Sequence, residues 1–567
     1  MSAEPNAVTA EVIRHALNSV VDEMDADIIR TAYSPLIYNF KDYAVGLLDA
    51  DMQLITHGTG PVIFMTDLDR PLADCIELLA SDGVTLGPDD VVLHNYIGVT
   101  GQHANNVNAY SPVYLQDRLI GYSAVRCHWG DVGGKEPGSS SANDSNSAFQ
   151  EGFFLRGIRA VVNGEIVPEV LRFIESNTRL PREVLGDAKS QIAAALKGAR
   201  LMSEVAARYG PDTLETVIQQ MFDHSEQKVR ATLAKIPPGK YSSSSFLDSD
   251  GVGGGRIKIP VEVTVTEGTL TVDLSEIEDQ LRGPLNSGNG AETVARAAFM
   301  FLMPDERRAN AGTFRPLQVL SRPRSFLTAA FPAPMARWSV PLPTVVDTIL
   351  RALAGAMPES ISAGHHASMG TIYVFFRDEA GQFYKHSDVA TGGWGAFHGL
   401  DGGGPFKTLT HGDSAAIPIE VMERLYPLTV EHYRFRVDSA GAGEWRGGVG
   451  TQKLIRFHDR ATLSTLFERT GCAPWGLVGG GPGATGFLRL ANPDEAPKDV
   501  TRVTTIPIEP GGSIEVFGGG GGGWGNPCQR DIEAICADVK RGLMSVDQVA
   551  EAYPHALAAV QAAMKSE

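Results

Sequence analysis

Over residues 8–30 the apolar side chains Val12, Ile13, Leu17, Val20, Val21 and Met24 recur at helical spacing, with Thr9 and Glu11 near the start, which predicts an amphipathic first helix. The period then shortens to two. Residues 43–57 predict two strands about an Asp49-Ala50-Asp51 turn, and residues 91–96 and 119–127 predict two more. Between Gly186 and Ala234 the composition turns to Ala, Leu, Lys, Glu and Arg, giving helices over 187–209 and 212–234 joined at Gly210-Pro211. A Ser242–Ser245 run and a Gly251–Gly255 turn follow, then residues 257–266 and 269–274 alternate around Glu267-Gly268 as a hairpin would. A helix over 345–357, short strands over 433–437 and 452–458, and two short helices after Pro527 complete the pattern.

These elements predict an α+β architecture in four regions. They are a mixed N-terminal α/β region (1–185), a helical insert (186–240), a sheet-rich region with helices (241–527) and C-terminal helices (528–567). The chain has 567 residues, of which 62 are Gly and 33 Pro, so long ordered loops are expected to carry the site. A net charge of −18 repels phosphate backbones and anionic lipid, which argues against nucleic acid and membrane partners. Cys75, Cys127, Cys472, Cys528 and Cys536 are odd in number and contain no CxxC pair. Residues 1–10 lack a basic segment followed by an apolar core, and no long uncharged apolar run occurs. A cytoplasmic protein is expected.

Imidazole and carboxylate are the usual ligands of zinc or manganese and the usual acid and base groups near neutral pH. His103, in a loop between strands, and His128, at a strand end, can meet at one point, with Asp131 nearby, Asp42 on the neighbouring strand pair and His57 in support. No HxH or HExxH spacing accompanies them, so histidines hydrogen-bonded within the core are the competing reading. A second polar group, His365, His366, His398, His411 and Asp413, lies among glycine-rich loops that suit either a substrate or solvent. The run Gly518–Gly523 has neither the lysine of a P-loop nor the strand–helix setting of a dinucleotide fingerprint, and no G-x-S-x-G elbow is present. ATP, if used, is bound by another polypeptide.

Several segments together resemble the hydantoinase B, 5-oxoprolinase and acetone (acetophenone) carboxylase alpha-type subunit family. They include Val8 to His15, Arg30-Thr31-Ala32-Tyr33-Ser34-Pro35, Lys41-Asp42-Tyr43-Ala44, Arg126 to Gly134, Asn310 to Pro316, Ala473-Pro474-Trp475-Gly476-Leu477 and the closing glycine run. The resemblance implies a subunit that works with a hydantoinase A-type partner. That partner holds ATP and Mg²⁺ and phosphorylates a substrate oxygen. The B-type chain then completes either hydrolysis of a cyclic amide (hydantoin, oxoproline or lactam) or carboxylation of a ketone.

The resemblance also implies a divalent metal, zinc or manganese, bound through His-x-x-Asp and His-His-x-Asp motifs. These fall on His103 and on His128 with Asp131. Two positions depart from the pattern: Asn106 stands for the first aspartate and Trp129 for the second histidine. An amide compensates a cation's charge less than a carboxylate does, so either Asp42 or Asp131 supplies the lost charge or this member runs without a metal at this place. The loss mildly favours the carboxylase branch, which needs no metal-activated hydroxide, over a rearranged hydrolytic site. The same replacements motivate an alternative, a non-catalytic scaffold or regulatory subunit with a decayed metal site. The catalytic candidates are therefore His128, Asp131 and His57, and the metal candidates His103, His128, Asp42 and Asp131.

Overall fold

The computed structural model describes residues 6–303, 308–378 and 380–565; residues 1–5 of the chain start considered above lie outside this set. The fold is α+β, as the alternation of periods predicts. The first helix, Ala7–Thr31, is capped by Asn6, whose side chain accepts from the Thr9 amide at 2.9 Å. Ile13, Leu17, Val20, Val21, Met24 and Ile28 form its buried stripe, while Val12, placed on that stripe by spacing, is exposed.

Strands β1 (Tyr43–Asp49), β2 (Leu54–His57), β3 (Val91–His94), β4 (Asn106–Leu115), β5 (Arg118–His128), β6 (Ile158–Val162) and β7 (Glu165–Ile166) form one antiparallel sheet in the order β2-β1-β5-β4-β3-β6-β7. Its centre decides where the site lies. β4 pairs with β5 so that Asn106 faces His128, and β1 pairs with β5 so that Tyr43 faces Cys127. The His128 amide then donates to the Asp42 carbonyl at 3.1 Å. Three neighbouring strands thus bring Asp42, His128 and Asn106 to the same end of the sheet. The helix Pro181–Tyr209 packs across β4 and β5 and continues at Gly210 into Pro211–Leu233. It begins earlier than its composition predicts because Pro181 suits the first helical position.

A second sheet holds β8 (Gly239–Leu247), β9 (Ile257–Thr266), β10 (Thr269–Asp273) and β11 (Leu317–Leu320), with β9–β10 as the predicted hairpin. The serine run lies inside β8, because pairing with β9 provides backbone partners that the polar side chains alone do not advertise. The helix Leu342–Ala354 packs on β8 and β9. The third sheet is built from β12 (Thr371–Arg377), β13 (Phe383–Val389), β16 (Ala461–Leu466) and β19 (Arg502–Ile508). The fourth is built from β14 (Leu428–Phe435), β15 (Thr451–Phe457), β17 (Phe487–Ala491), β18 (Lys498–Val500) and β20 (Ser513–Phe517). Three helices, Ile532–Lys540, Val546–Ala552 and Leu557–Lys565, close the described chain where two were expected. Arg530 ties them to the body through Asp401 at 2.7 Å and Asp538 at 2.8 Å. No helix among the described residues is long and apolar enough to cross a membrane.

The closing glycine run is a packing device. The amides of Gly521, Gly522 and Gly523 donate to the carbonyls of Gly448, Gly364 and Gly481 at 2.9, 2.7 and 2.9 Å, and the Gly393 amide donates to Gly519 at 2.9 Å. Backbones approach so closely that a Cβ on Gly393 would lie 1.8 Å from the Gly448 carbonyl oxygen, and one on Gly521 1.9 Å from that of Trp394. Neither neighbour is a flexible side chain, so nothing can yield without moving backbone. Gly393→Ala should therefore destabilise the fold by roughly 2–3 kcal/mol. Gly255→Ala, which meets no heavy atom within 4 Å, should be nearly neutral. Urea unfolding midpoints of the two variants check the difference.

Candidate functional site

His103 sits in the turn that leads into β4. Gly101, in the left-handed region with φ of 65°, starts the turn, and its carbonyl accepts from the Gly288 amide and the Ser287 hydroxyl. The His103 carbonyl accepts the Asn106 amide at 3.2 Å, which closes the turn and aims the imidazole at the strand ends. There His103 Nε2 lies 3.1 Å from His128 Nδ1 and 2.8 Å from Asn106 Oδ1, and Asn106 Oδ1 lies 3.2 Å from His128 Nδ1. The Asp42 carboxylate stands 3.7 Å from His128 Nδ1.

A chain of hydrogen bonds orients this cluster. Gln102 Nε2 donates to the Asp67 carboxylate at 3.2 Å, which leaves Gln102 Oε1 to accept from Asn106 Nδ2 at 2.8 Å. A carboxylate only accepts, so the relay runs one way and Asn106 must turn its oxygen toward the imidazoles. On the other side, His103 Nδ1 faces the Ala336 carbonyl at 3.3 Å. A neutral imidazole has one N–H, so His103 can donate to the Ala336 carbonyl or, across the shorter contact, to the Asn106 oxygen, and one of the two acceptors goes without its proton. Burial holds His103 at about 4 and His128 well below its ordinary value, so both rings are neutral at pH 7. Each neutral ring carries one N–H, too few for His103 to serve both of its flanking oxygens.

These atoms open onto a narrow cleft between the end of the first sheet and β12–β13. Phe40, Phe64, Trp338 and Tyr373 supply its apolar walls; Asp42, Thr371, Ser387, Asp388 and His411 supply its polar ones. Asp42 is raised to about 7 by burial, against the pull of Lys407 and Lys385. Both of those lysines are depressed by burial, to about 7 and about 8. Lys407 Nζ lies 3.0 Å from the centre of the Phe40 ring, and Lys385 Nζ 4.6 Å from that of Tyr373. His411 presents a neutral ring whose Nδ1 is 2.8 Å from Thr408 Oγ1.

The structure brings together three of the residues singled out from sequence, His103, His128 and Asp42, and sets two apart. Asp131 is fully buried away from the cleft, where it accepts from Arg179 Nη1 and the Gly138 amide at 2.8 Å and from the Arg179 amide at 2.7 Å. Its oxygens are engaged in holding the loop after β5. His57 also has both ring nitrogens engaged, with Nδ1 2.7 Å from the Gly58 carbonyl and Nε2 accepting from the Ala309 amide at 3.0 Å. Trp129 follows His128 and therefore faces the opposite side of the sheet, where its Nε1 donates to Gln191 at 3.0 Å. Of the second polar group only His411 reaches the cleft. His365 lies 3.7 Å from Asp347, His398 packs on Trp524 at 4.7 Å, His366 packs beside the glycine bundle at Gly392, and the Asp413 amide bonds to Gly60. Gln102, Asp67 and the two lysines were not foreseen; only Gln102, one residue from His103, carried a local signal.

Among the described residues no group of three or more His, Cys, Asp or Glu is arranged to hold a metal ion. The convergent set differs from that description through Asn106 and the stand-off of Asp42. Its chemistry nevertheless suits a cation: two neutral imidazoles, an oriented amide oxygen and a carboxylate for which no hydrogen-bond donor is seen among the described residues.

The family described as hydantoinase B/oxoprolinase matches residues 6–527. Caprolactamase subunit beta of Pseudomonas jessenii is 28% identical, over 95% of this chain and 94% of its own. The crystal structure of ATP-dependent caprolactamase from the same organism superposes with a TM-score of 0.87 at 25% identity, covering 96% of both chains. Nucleotide-free acetone carboxylase shares the fold with a TM-score of 0.88 at 17% identity, covering 98% of this chain and 82% of that one. Asp131→Asn should lower stability by about 3 kcal/mol, the order expected for breaking a buried charge pair. It should leave the cleft intact, with chemical denaturation and the histidine NMR signals of the folded protein as readouts.

Proposed function

The chain belongs to the hydantoinase B/oxoprolinase family, and from that premise we propose that it is the B-type subunit of an ATP-dependent hetero-oligomeric enzyme that opens a cyclic amide. An A-type partner binds ATP and Mg²⁺ and phosphorylates the amide oxygen. This chain receives the activated ring in the cleft between the first sheet and β12–β13. The hydrolytic branch is favoured over ketone carboxylation by the similarity to caprolactamase over nearly the full length of both chains; the acetone carboxylase likeness carries the fold alone. Nothing favours the scaffold alternative. The free cysteines of the described chain suit a cytoplasmic setting.

One observation carries the reading: His103, neutral and with a single N–H, stands between two acceptor oxygens, those of Ala336 and Asn106, with His128 beside it. His103, His128, Asp42 and the Asn106 oxygen would hold a divalent cation such as zinc or manganese. When bound, such an ion supplies Lewis-acid polarisation and makes water a better nucleophile. The remaining work falls to the chain. Phe40, Phe64, Trp338 and Tyr373 exclude bulk water from the activated ring, and Thr371 and Ser387 offer hydroxyls to its polar atoms. His411, neutral and hydrogen-bonded through Nδ1, takes the proton from the attacking water through its free Nε2. Addition of this water to the activated carbon breaks the ring C–N bond and the nitrogen, taking up a proton, leaves as the amine. A second water then hydrolyses the acyl phosphate that remains, giving the carboxylate and free phosphate.

In the reconstituted two-subunit enzyme, His103→Ala and His128→Ala should each reduce lactam-dependent ATP consumption by roughly 100-fold or more while leaving assembly unchanged. Unchanged turnover in both would overturn the assignment. Calorimetric titration of the isolated chain with Mn²⁺ should show binding that Asn106→Asp strengthens by roughly tenfold or more. In the same titration Gln102→Ala should weaken binding roughly 10- to 100-fold, because the amide loses its orientation.

A further inference from the structure

At one end of the fourth sheet a groove runs from the edge strand β14 across β15 and β20 to β17, and its wall contradicts the charge of the molecule. The chain carries a net charge of −18, yet Arg434, Arg436, Arg489 and Arg541 line this groove and no carboxylate does. Among the described residues only Arg489 has an acidic partner, Asp499 at 2.7 Å. Arg434 donates to Gln452, and Arg436 to the carbonyls of Thr485 and Gly518. The floor is the stacked pair Phe487 and Phe517, with ring centres 4.4 Å apart and the Arg436 and Arg489 guanidiniums over both rings. At the β14 edge Phe435 and Val437, 44% and 46% exposed, also line the groove. Arginine and aromatic residues without lysine or carboxylate are the composition of a protein interface, and solvated surfaces seldom show it.

From this we infer that the β14 groove docks an acidic segment of the partner subunit, one that places carboxylates against Arg434, Arg436 and Arg541 and an apolar side chain on the Phe487–Phe517 floor. The identity of the partner rests on the hetero-oligomeric reading above; the surface itself does not. A second copy of this chain is disfavoured as occupant, because a two-fold contact would set the same patch against itself and face arginine with arginine. An acidic segment also accounts for three guanidiniums kept without carboxylates at the rim of an apolar groove, where pairing with a partner's charge is strong and specific. The groove is separate from the cleft at the His103 end of the first sheet and shares no lining residue with it.

The test uses the full chain and the A-type subunit, with affinity measured by calorimetry and oligomeric state by light scattering. The double variant Arg434→Glu/Arg541→Glu alters two exposed side chains and should fold as the parent does. It should weaken association with the partner roughly 30-fold or more, whereas Arg434→Lys/Arg541→Lys should retain most of the affinity. Unchanged association in the glutamate variant, or no association of the parent chains, would overturn the proposal. So would a change confined to self-association, which would assign the groove to a second copy. If the parent chains associate in an arginine-dependent way but show no lactam-dependent ATP consumption, the docking surface stands and the catalytic reading falls.

Discussion

The site depends on a hydrogen-bond relay that can run in one direction only. Asp67 can only accept, so Gln102 must give it its amide hydrogens and turn its oxygen to Asn106, and Asn106 must in turn point its oxygen at His103 and His128. The Ala336 carbonyl and the Asn106 oxygen then flank His103, which has one N–H for the two. Acceptors outnumber the ring's hydrogens in a place where burial keeps the imidazoles uncharged. A buried polar cluster short of hydrogens is costly, and the cost is offset when something electropositive enters it.

The rest of the molecule holds that cluster in place and encloses it. The β1–β5–β4 register sets three side chains side by side at one sheet end. Asp131 and Arg179 fix the loop that leaves β5, so His128 ends its strand in a defined position. Across the cleft, β12 and β13 of the third sheet provide the second wall, and the glycine bundle packs the segment after β13 against the loops of the fourth sheet, with backbones too close for any side chain. Two regions far apart in sequence share the cleft, so its closure depends on how well those glycines pack.

Much of this was legible in the chain itself. The first helix, the β1–β2 pair, the β9–β10 hairpin and the two long helices broken at Gly210-Pro211 follow from periodicity and punctuation, because each is a local pattern. β4 escaped notice because its asparagines, serine and proline are buried on both faces and give no alternation. His103, His128 and Asp42 could be named from residue type and the expectation that strand ends converge. Asp131 matched a motif, yet its position in a turn closed by Arg179 is a tertiary fact. Trp129 looked like a lost ligand only in one dimension; strand geometry turns it to the core whatever its identity. His411, Lys385 and Lys407 come from the far half of the chain, and only folding brings them to the cleft or its margins.

The most direct measurement is an anomalous-scattering map from crystals of this chain grown with Mn²⁺ and recorded on both sides of the manganese absorption edge. The account predicts a peak enclosed by His103, His128, Asn106 and Asp42, with the Asn106 oxygen turned toward it. A fully loaded crystal with its peak elsewhere, or with His103 and His128 still in direct contact, would contradict the account.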